Sequence, residues 1–175
     1  MKASWLAASL LAAAGSATAS AQDAGKHDAF AGYSMLAADG DRWQGWHAAL
    51  GLGLSGRLSL VLDASSHQAD VEGTDVSALS LMAGPRLTFG GGRLRPFLHV
   101  IGGVVRTKAG VGVFEVDISE STTGFGGAAG GGVDLGLGGR WAARLTGDYR
   151  MVRIDDETVS DPRFSAGVVY RFGAE

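Results

Sequence analysis

Between Gly132 and Val152 apolar and polar positions alternate with a period of two. Val133, Leu135, Leu137, Trp141, Ala143, Leu145, Gly147, Tyr149 and Met151 form one set; Gly132, Asp134, Gly136, Ala142, Arg144, Thr146, Asp148 and Arg150 form the other. Period two is the repeat of a β-strand, whose successive side chains point to opposite faces. The interruption at Gly138-Gly139-Arg140 predicts a three-residue turn that sets Leu137 opposite Trp141, which also places Asp134 opposite Arg144 on the less apolar face. Similar alternation recurs along the chain. Trp46–Leu54 sets Trp46, Ala48, Leu50, Leu52 and Leu54 against His47, Ala49, Gly51 and Gly53, and the next segment sets Leu58, Leu60, Leu62 and Ala64 against Ser59, Val61, Asp63, Ser65 and His67. Val76–Phe89 sets Leu79, Leu81, Ala83, Leu87 and Phe89 against Ser80, Met82, Gly84, Arg86 and Thr88. The last run sets Phe164, Ala166, Val168, Tyr170 and Phe172 against Arg163, Ser165, Gly167, Val169 and Arg171.

With a first strand at Phe30–Leu36, a weakly alternating fifth from Arg95 and a glycine-rich sixth over Gly124–Leu137, the count is eight strands. Short turns at Ser55–Arg57, Gly90–Arg93 and Gly138–Arg140 alternate with longer, mostly acidic connections at Ala38–Arg42, Gln68–Asp75, Thr107–Thr123 and Arg153–Arg163. That is the rhythm of an all-β, antiparallel up-and-down meander, and no helix is predicted beyond the N-terminal stretch. Val111, Val113, Val116 and Ile118 predict that strands five and six continue as a ribbon beyond the main sheet.

Composition decides which way such a sheet faces. Eight-stranded meanders occur as soluble ligand-binding barrels and as membrane barrels. The polar set here is glycine, alanine, serine and a few Asp, Arg and His, whereas a lipocalin-like exterior calls for Lys, Glu, Thr and Ser. After the N-terminal stretch the chain has two lysines, Lys26 and Lys108, against twelve arginines, and it holds 29 glycines. Arginine is the cation of buried and paired positions. Small residues and charge pairs therefore suit a narrow lumen, and strands of about ten residues suit a bilayer crossed at a tilt. The apolar set carries aromatics near strand ends: Phe89, Trp141, Tyr170 and Phe172 toward the short turns, and Trp46, Tyr149 and Phe164 toward the longer connections. Two such levels form the aromatic girdle of a transmembrane β-barrel.

The N-terminus adds a destination. Met1-Lys2, the apolar run Ala3–Ala14 and the small residues Ala19-Ser20-Ala21 have the form of a secretory signal peptide cleaved after Ala21, leaving a single barrel domain over residues 22–175. A transmembrane anchor would need ~20 apolar residues. There is no cysteine, which excludes disulfides and thiol chemistry, and a net charge of −3 argues against nucleic acid as a partner.

The run Phe30-Ala31-Gly32-Tyr33-Ser34 and the closing Val168-Val169-Tyr170-Arg171-Phe172 are similar to the first and last strands of the small eight-stranded outer-membrane barrels, the OmpA-type transmembrane domains and OmpX-type proteins. This resemblance covers the whole mature chain. It implies insertion from the periplasm by the barrel-assembly machinery, periplasmic termini, long loops at the cell surface, and a monomer in contact with outer-membrane lipids and lipopolysaccharide. Family chains usually end on the aromatic residue, whereas here Gly173-Ala174-Glu175 follow Phe172.

The charges assigned to the lumen are Asp63, Arg86, Asp134, Arg144, Asp148, Arg150 and Arg171, accompanied by His47, His67 and His99. Buried charges must be paired and hydrogen-bonded, so they predict a network that plugs the barrel. His47 and His67 lie diagonally on neighbouring strands, but no acid is clearly placed to complete a metal site, and neither metal nor cofactor is expected. Ser66 beside His67 suggests a nucleophile and its base, yet strand neighbours point to opposite faces. The glycine-rich Gly124–Gly132 lacks the Gly-Lys-Ser/Thr of a phosphate loop and reads as room for bulky neighbours or for barrel curvature. The acidic residues Asp39, Asp41, Asp70, Glu72, Asp75, Asp155, Asp156, Glu157 and Asp161 read as a solvated rim, with divalent bridging to lipopolysaccharide or a partner contact as the alternative. The leading expectation is a non-enzymatic outer-membrane barrel with a structural or surface-interaction role. A small-solute channel and a surface lipid-modifying enzyme are the alternatives.

Overall fold

The computed structural model describes residues 27–38, 41–71, 74–113, 116–154 and 157–173; the stretch predicted as a signal peptide, Met1–Ala21, lies outside them. The described chain forms eight strands: β1 (His27–Ala38), β2 (Asp41–Gly53), β3 (Leu58–Val71), β4 (Thr74–Thr88), β5 (Leu94–Val113), β6 (Val116–Gly138), β7 (Trp141–Ile154) and β8 (Glu157–Phe172). Each strand pairs antiparallel with the next and β1 pairs with β8, so the sheet closes into a barrel. At that seam His27 lies opposite Phe172 and Ser34 opposite Ser165. Over the span where every strand is paired on both sides, closure removes the edges that could pair with another chain.

The alternation fixes the faces. Leu62, Leu81, Leu98 and Leu145 point outward and are 43%, 51%, 59% and 61% exposed, while Arg150, Arg163 and His67 are among the largest fully buried side chains. The barrel is therefore apolar outside and polar within. Its interior is not uniformly polar, however. Met82, Ile101, Val105, Ala128 and Val152 pack inside as an apolar cluster, and Phe30, Ala142 and Val169 form a second. This explains the weak alternation of the fifth strand: Phe97, Ile101 and Val105 fill the lumen while Leu98, Val100 and Val104 face outward.

Several predicted connections turn out to be strand. β1 begins at His27 and not Phe30, β2 at Asp41 and not Trp46, and β8 at Glu157 and not near Arg163. Over the predicted loop Gln68–Asp75, Gln68 pairs with Ser77, Asp70 with Asp75 and Val71 with Thr74. The backbone ladder continues after the side chains stop alternating between apolar and polar, because only the span that meets lipid needs an apolar face. β5 and β6 are the longest strands, at 20 and 23 residues, and their pairing runs out to Val113 opposite Val116.

The β6–β7 turn differs from its prediction by one step. Asp134 pairs with Arg144 and Gly136 with Ala142, but the register then shifts and Trp141 pairs with Gly138, not Leu137. Gly138 and Gly139 have φ of +127° and +55°, values that glycine adopts without steric cost. The irregularity absorbs one residue at the turn and leaves the pairing below it unchanged.

Candidate functional site: the charged lumen

The inward positions bring their charges together at two main levels. Nearer the short turns, Asp28 of β1 accepts both terminal nitrogens of Arg86 from β4, with Nη1 at 3.1 Å, and also Arg144 Nη2 from β7 at 3.2 Å. Arg144 is bidentate on Asp134 of β6, at 2.6 and 2.9 Å, and Arg171 Nη2 reaches the same carboxylate at 3.3 Å. Arg86 Nε donates to Ser59 Oγ at 3.0 Å. Two lumenal rings complete the level: the Arg144 guanidinium lies 4.8 Å from the centroid of Phe97 and 5.5 Å from that of Phe30. Glycine makes the room. A Cβ on Gly132 would lie 2.8 Å from Phe97 Cζ, and one on Gly51 would overlap Arg86 Nη2 and the Asp28 carboxylate.

Arg163 of β8 holds the middle level. Its Nη1 and Nη2 donate to Asp63 on β3 at 3.0 and 3.1 Å, and its Nε and Nη2 donate to Asp148 on β7 at 3.0 and 2.7 Å. Each carboxylate also meets a histidine: His47 Nε2 is 2.6 Å from Asp63 Oδ2, and His99 Nε2 is 2.7 Å from Asp148 Oδ1. Beyond this level Arg150 donates from Nη2 to Ser80 Oγ at 3.2 Å and pairs in register with Asp161. Charged hydrogen-bonded pairs of this kind resist dissection, because deleting one partner strands the other in a medium that cannot solvate it.

A relay of hydroxyls and imidazoles crosses the same level. From Asp63 it passes through His47 Nδ1 to Ser165 Oγ at 3.0 Å, on to Ser34 Oγ at 3.0 Å and to His67 Nε2 at 2.9 Å. Acid, imidazole and hydroxyl stand in the order that activates a nucleophile. Here, however, Ser165 is enclosed by the lumen at 5% exposure, and Asp63 is clamped by Arg163. His67 is engaged with Ser34, while Ser66 belongs to the opposite face of the strand. Among the described residues no three His, Asp or Glu side chains converge as a metal ion would require.

The aromatic residues of the predicted girdle lie on the outer face. Trp141 and Tyr170 are opposite one another with ring centroids 4.9 Å apart, Phe172 stacks on Tyr170 at 6.5 Å, and Phe89 directly follows β4 at the β4–β5 turn. Trp46, Tyr149 and Phe164 are about half exposed toward the other end. Tyr33, absent from the predicted set, lies directly opposite Trp46, and Phe125 is also exposed.

The family model of the outer membrane protein beta-barrel domain matches residues 6–172. The chain belongs to this family. Solved structures of outer-membrane barrels share its fold. The attachment invasion locus protein Ail of Yersinia pestis is 19% identical, with 85% of this chain and 99% of Ail covered at a TM-score of 0.61. Neisserial surface protein A is 17% identical, with 84% and 96% covered at 0.60. The outer membrane protein OprG from Pseudomonas aeruginosa is 17% identical, with 87% and 98% covered at 0.57. No curated protein sequence matches the chain.

Within this outer-membrane barrel the structure brings Arg86, Asp134, Arg144 and Arg171 together at one level and Asp63 and Asp148 at the next, with Arg150 on Ser80 beyond. The sequence reading left Asp28 and Arg163 out of the lumenal charges and placed Asp161 in the solvated rim. Each is buried. Parity would have found them: Asp28 is in phase with Phe30 and Ser34, and Asp161 and Arg163 are in phase with Ser165.

Proposed function

We propose that the protein is a structural, non-conducting barrel of the outer membrane that meets its partners through its outer surface and rims. The observation that carries this reading is Arg163, fully buried and tied to carboxylates on β3 and β7 from its place on β8. An eight-stranded barrel is just wide enough for side chains to fill, and a hydrogen-bonded guanidinium at its middle occupies the route that an ion would take. On this reading Asp63, Arg86, Asp134, Arg144, Asp148, Arg150 and Arg171 serve as a plug and not as a selectivity filter. Trp46, Phe89, Trp141, Tyr149, Phe164, Tyr170 and Phe172 serve as interfacial anchors. Met1–Ala21 is then the signal peptide, the barrel-assembly machinery inserts a mature monomer from the periplasm, the short turns and termini face the periplasm, and the longer hairpin ends reach the cell surface among lipopolysaccharide.

Planar-bilayer recording tests the reading. Purified barrel should add no unitary current steps to the baseline. Reproducible steps from the wild-type protein would replace the plug with a small-solute channel. A mass change in lipid A on expression would point instead to a lipid-modifying enzyme.

A further inference from the structure

We propose that the short-turn end of the barrel binds the phosphate headgroups of anionic phospholipids through Arg57, Arg93 and Arg140. The proposal rests on the chain spanning a bilayer, a property of its family, and not on the lumen being closed.

Each short turn carries one of these arginines in the same structural place. The carbonyl of Arg57 accepts from the backbone N–H of Thr88 at 2.8 Å, that of Arg93 from Gly136 at 2.7 Å, and that of Arg140 from Arg171 at 2.8 Å. Each of these turns is thereby fastened to the same end of β4, β6 or β8, and the three arginines stand at equivalent stations around one rim, with the His27–Phe172 pair of the β1–β8 seam between the last and the first. Hairpins two strands apart set these stations about 10 Å from one another along the rim. All three residues are exposed, and Arg95 and Arg171 stand half-buried just inside the ring.

Among the described residues no exposed carboxylate lies on this rim. Among the described residues the acids at the short-turn end are Asp28 and Asp134, both buried and engaged by Arg86, Arg144 and Arg171. At the opposite end Asp70, Asp75, Asp117 and Glu120 lie along the ends of β3, β4 and β6. The depth of the ring also fits. Trp141 follows Arg140 directly, and Phe89, Tyr170 and Phe172 lie at the same end on the outer face, where interfacial aromatics mark headgroup level. A guanidinium presents a planar fork that matches two phosphate oxygens, a geometry lysine lacks.

The test is a native mass-spectrometric titration of the folded mature barrel in neutral detergent, with phosphatidylglycerol and phosphatidylcholine in turn. The wild type should prefer phosphatidylglycerol. Each of Arg57→Gln, Arg93→Gln and Arg140→Gln should lower its apparent affinity by about fivefold without changing phosphatidylcholine binding. Added salt should weaken the preference. The control Arg42→Gln with Lys108→Gln, which removes two positive charges at the other end, should keep it. Gel mobility without boiling confirms that every variant is folded. Equal binding of the two lipids, equal loss in the control, or preferential retention of lipopolysaccharide over phosphatidylglycerol by the same arginines would overturn the proposal.

Discussion

Arg144 touches more of the lumen than any one pairing suggests, with Asp134 held bidentate, Asp28 beside it and two aromatic rings flanking its guanidinium. Asp134→Ala removes its nearest carboxylate and leaves Arg171 without that partner too, so the substitution should cost about 3 kcal/mol, at the low end for a broken buried pair because Asp28 remains. Asp134→Leu with Arg144→Met should recover much of the loss, since Arg86 still neutralises Asp28. A double-mutant cycle in urea-dependent refolding should give a coupling of about 2 kcal/mol; a coupling near zero would mean that the pair does not act as one buried unit. This pair was legible in the sequence because two good alternations flanked a glycine turn and fixed the register. Asp28, Asp161 and Arg163 were not, because each borders a polar run where charge normally signals solvent. Inside a narrow barrel the phase of a residue outweighs its chemistry.

At the scale of strands, apolar alternation reports only the stretch of each strand that faces lipid. The ladders continue through polar sequence at the end away from the short turns, where hydrogen bonds alone hold the register and sequence patterning carries little signal. The β5–β6 ribbon extends furthest. β7 pairs with β6 only from Phe125 onward, and β4 pairs with β5 only as far as Gly110, so Val111–Val113 and Val116–Ser119 lie beyond both flanking strands. Deleting residues 111–118 and joining Gly110 to its partner Ser119 with a two-residue Asn-Gly turn should leave the barrel folded, with its urea midpoint near that of the parent. A barrel that no longer folds after this deletion would make the ribbon a part of the nucleus and not an appendage. The one-residue shift at Gly138 belongs to this scale as well. Turn length could be counted in the sequence, but whether Leu137 or Gly138 faced Trp141 depended on backbone angles that glycine leaves open.

The whole molecule is a soluble barrel turned inside out, and that inversion was readable from what the polar set lacks: lysine and glutamate on a water-facing wall. The sequence did not show that large apolar side chains would share the lumen. Met82, Ile101 and Val105 sit in phase with Ser80, His99 and Arg86, so each looked like noise in a polar set and proved to be packing. Closure by β1 and β8, with a paired interior, should make unfolding slow in detergent. Protein from the outer-membrane fraction should therefore migrate faster unboiled than boiled, and its N-terminal residue should be Gln22. Identical migration in both lanes would argue against a closed barrel, and recovery from the soluble periplasm would argue against the membrane.

The reach of Arg163 also acts as a ruler. A side chain on β8 that grips a carboxylate on β3, with β1 and β2 between them, can do so only while the wall keeps its present curvature. Barrel diameter grows with strand number. Copying one hairpin into the chain, a simple genetic route to a wider pore, would move Asp63 and Arg163 apart and leave each without its partner. The interior chemistry thus selects the number eight, and enlargement would require replacing the buried charges in the same step as adding strands.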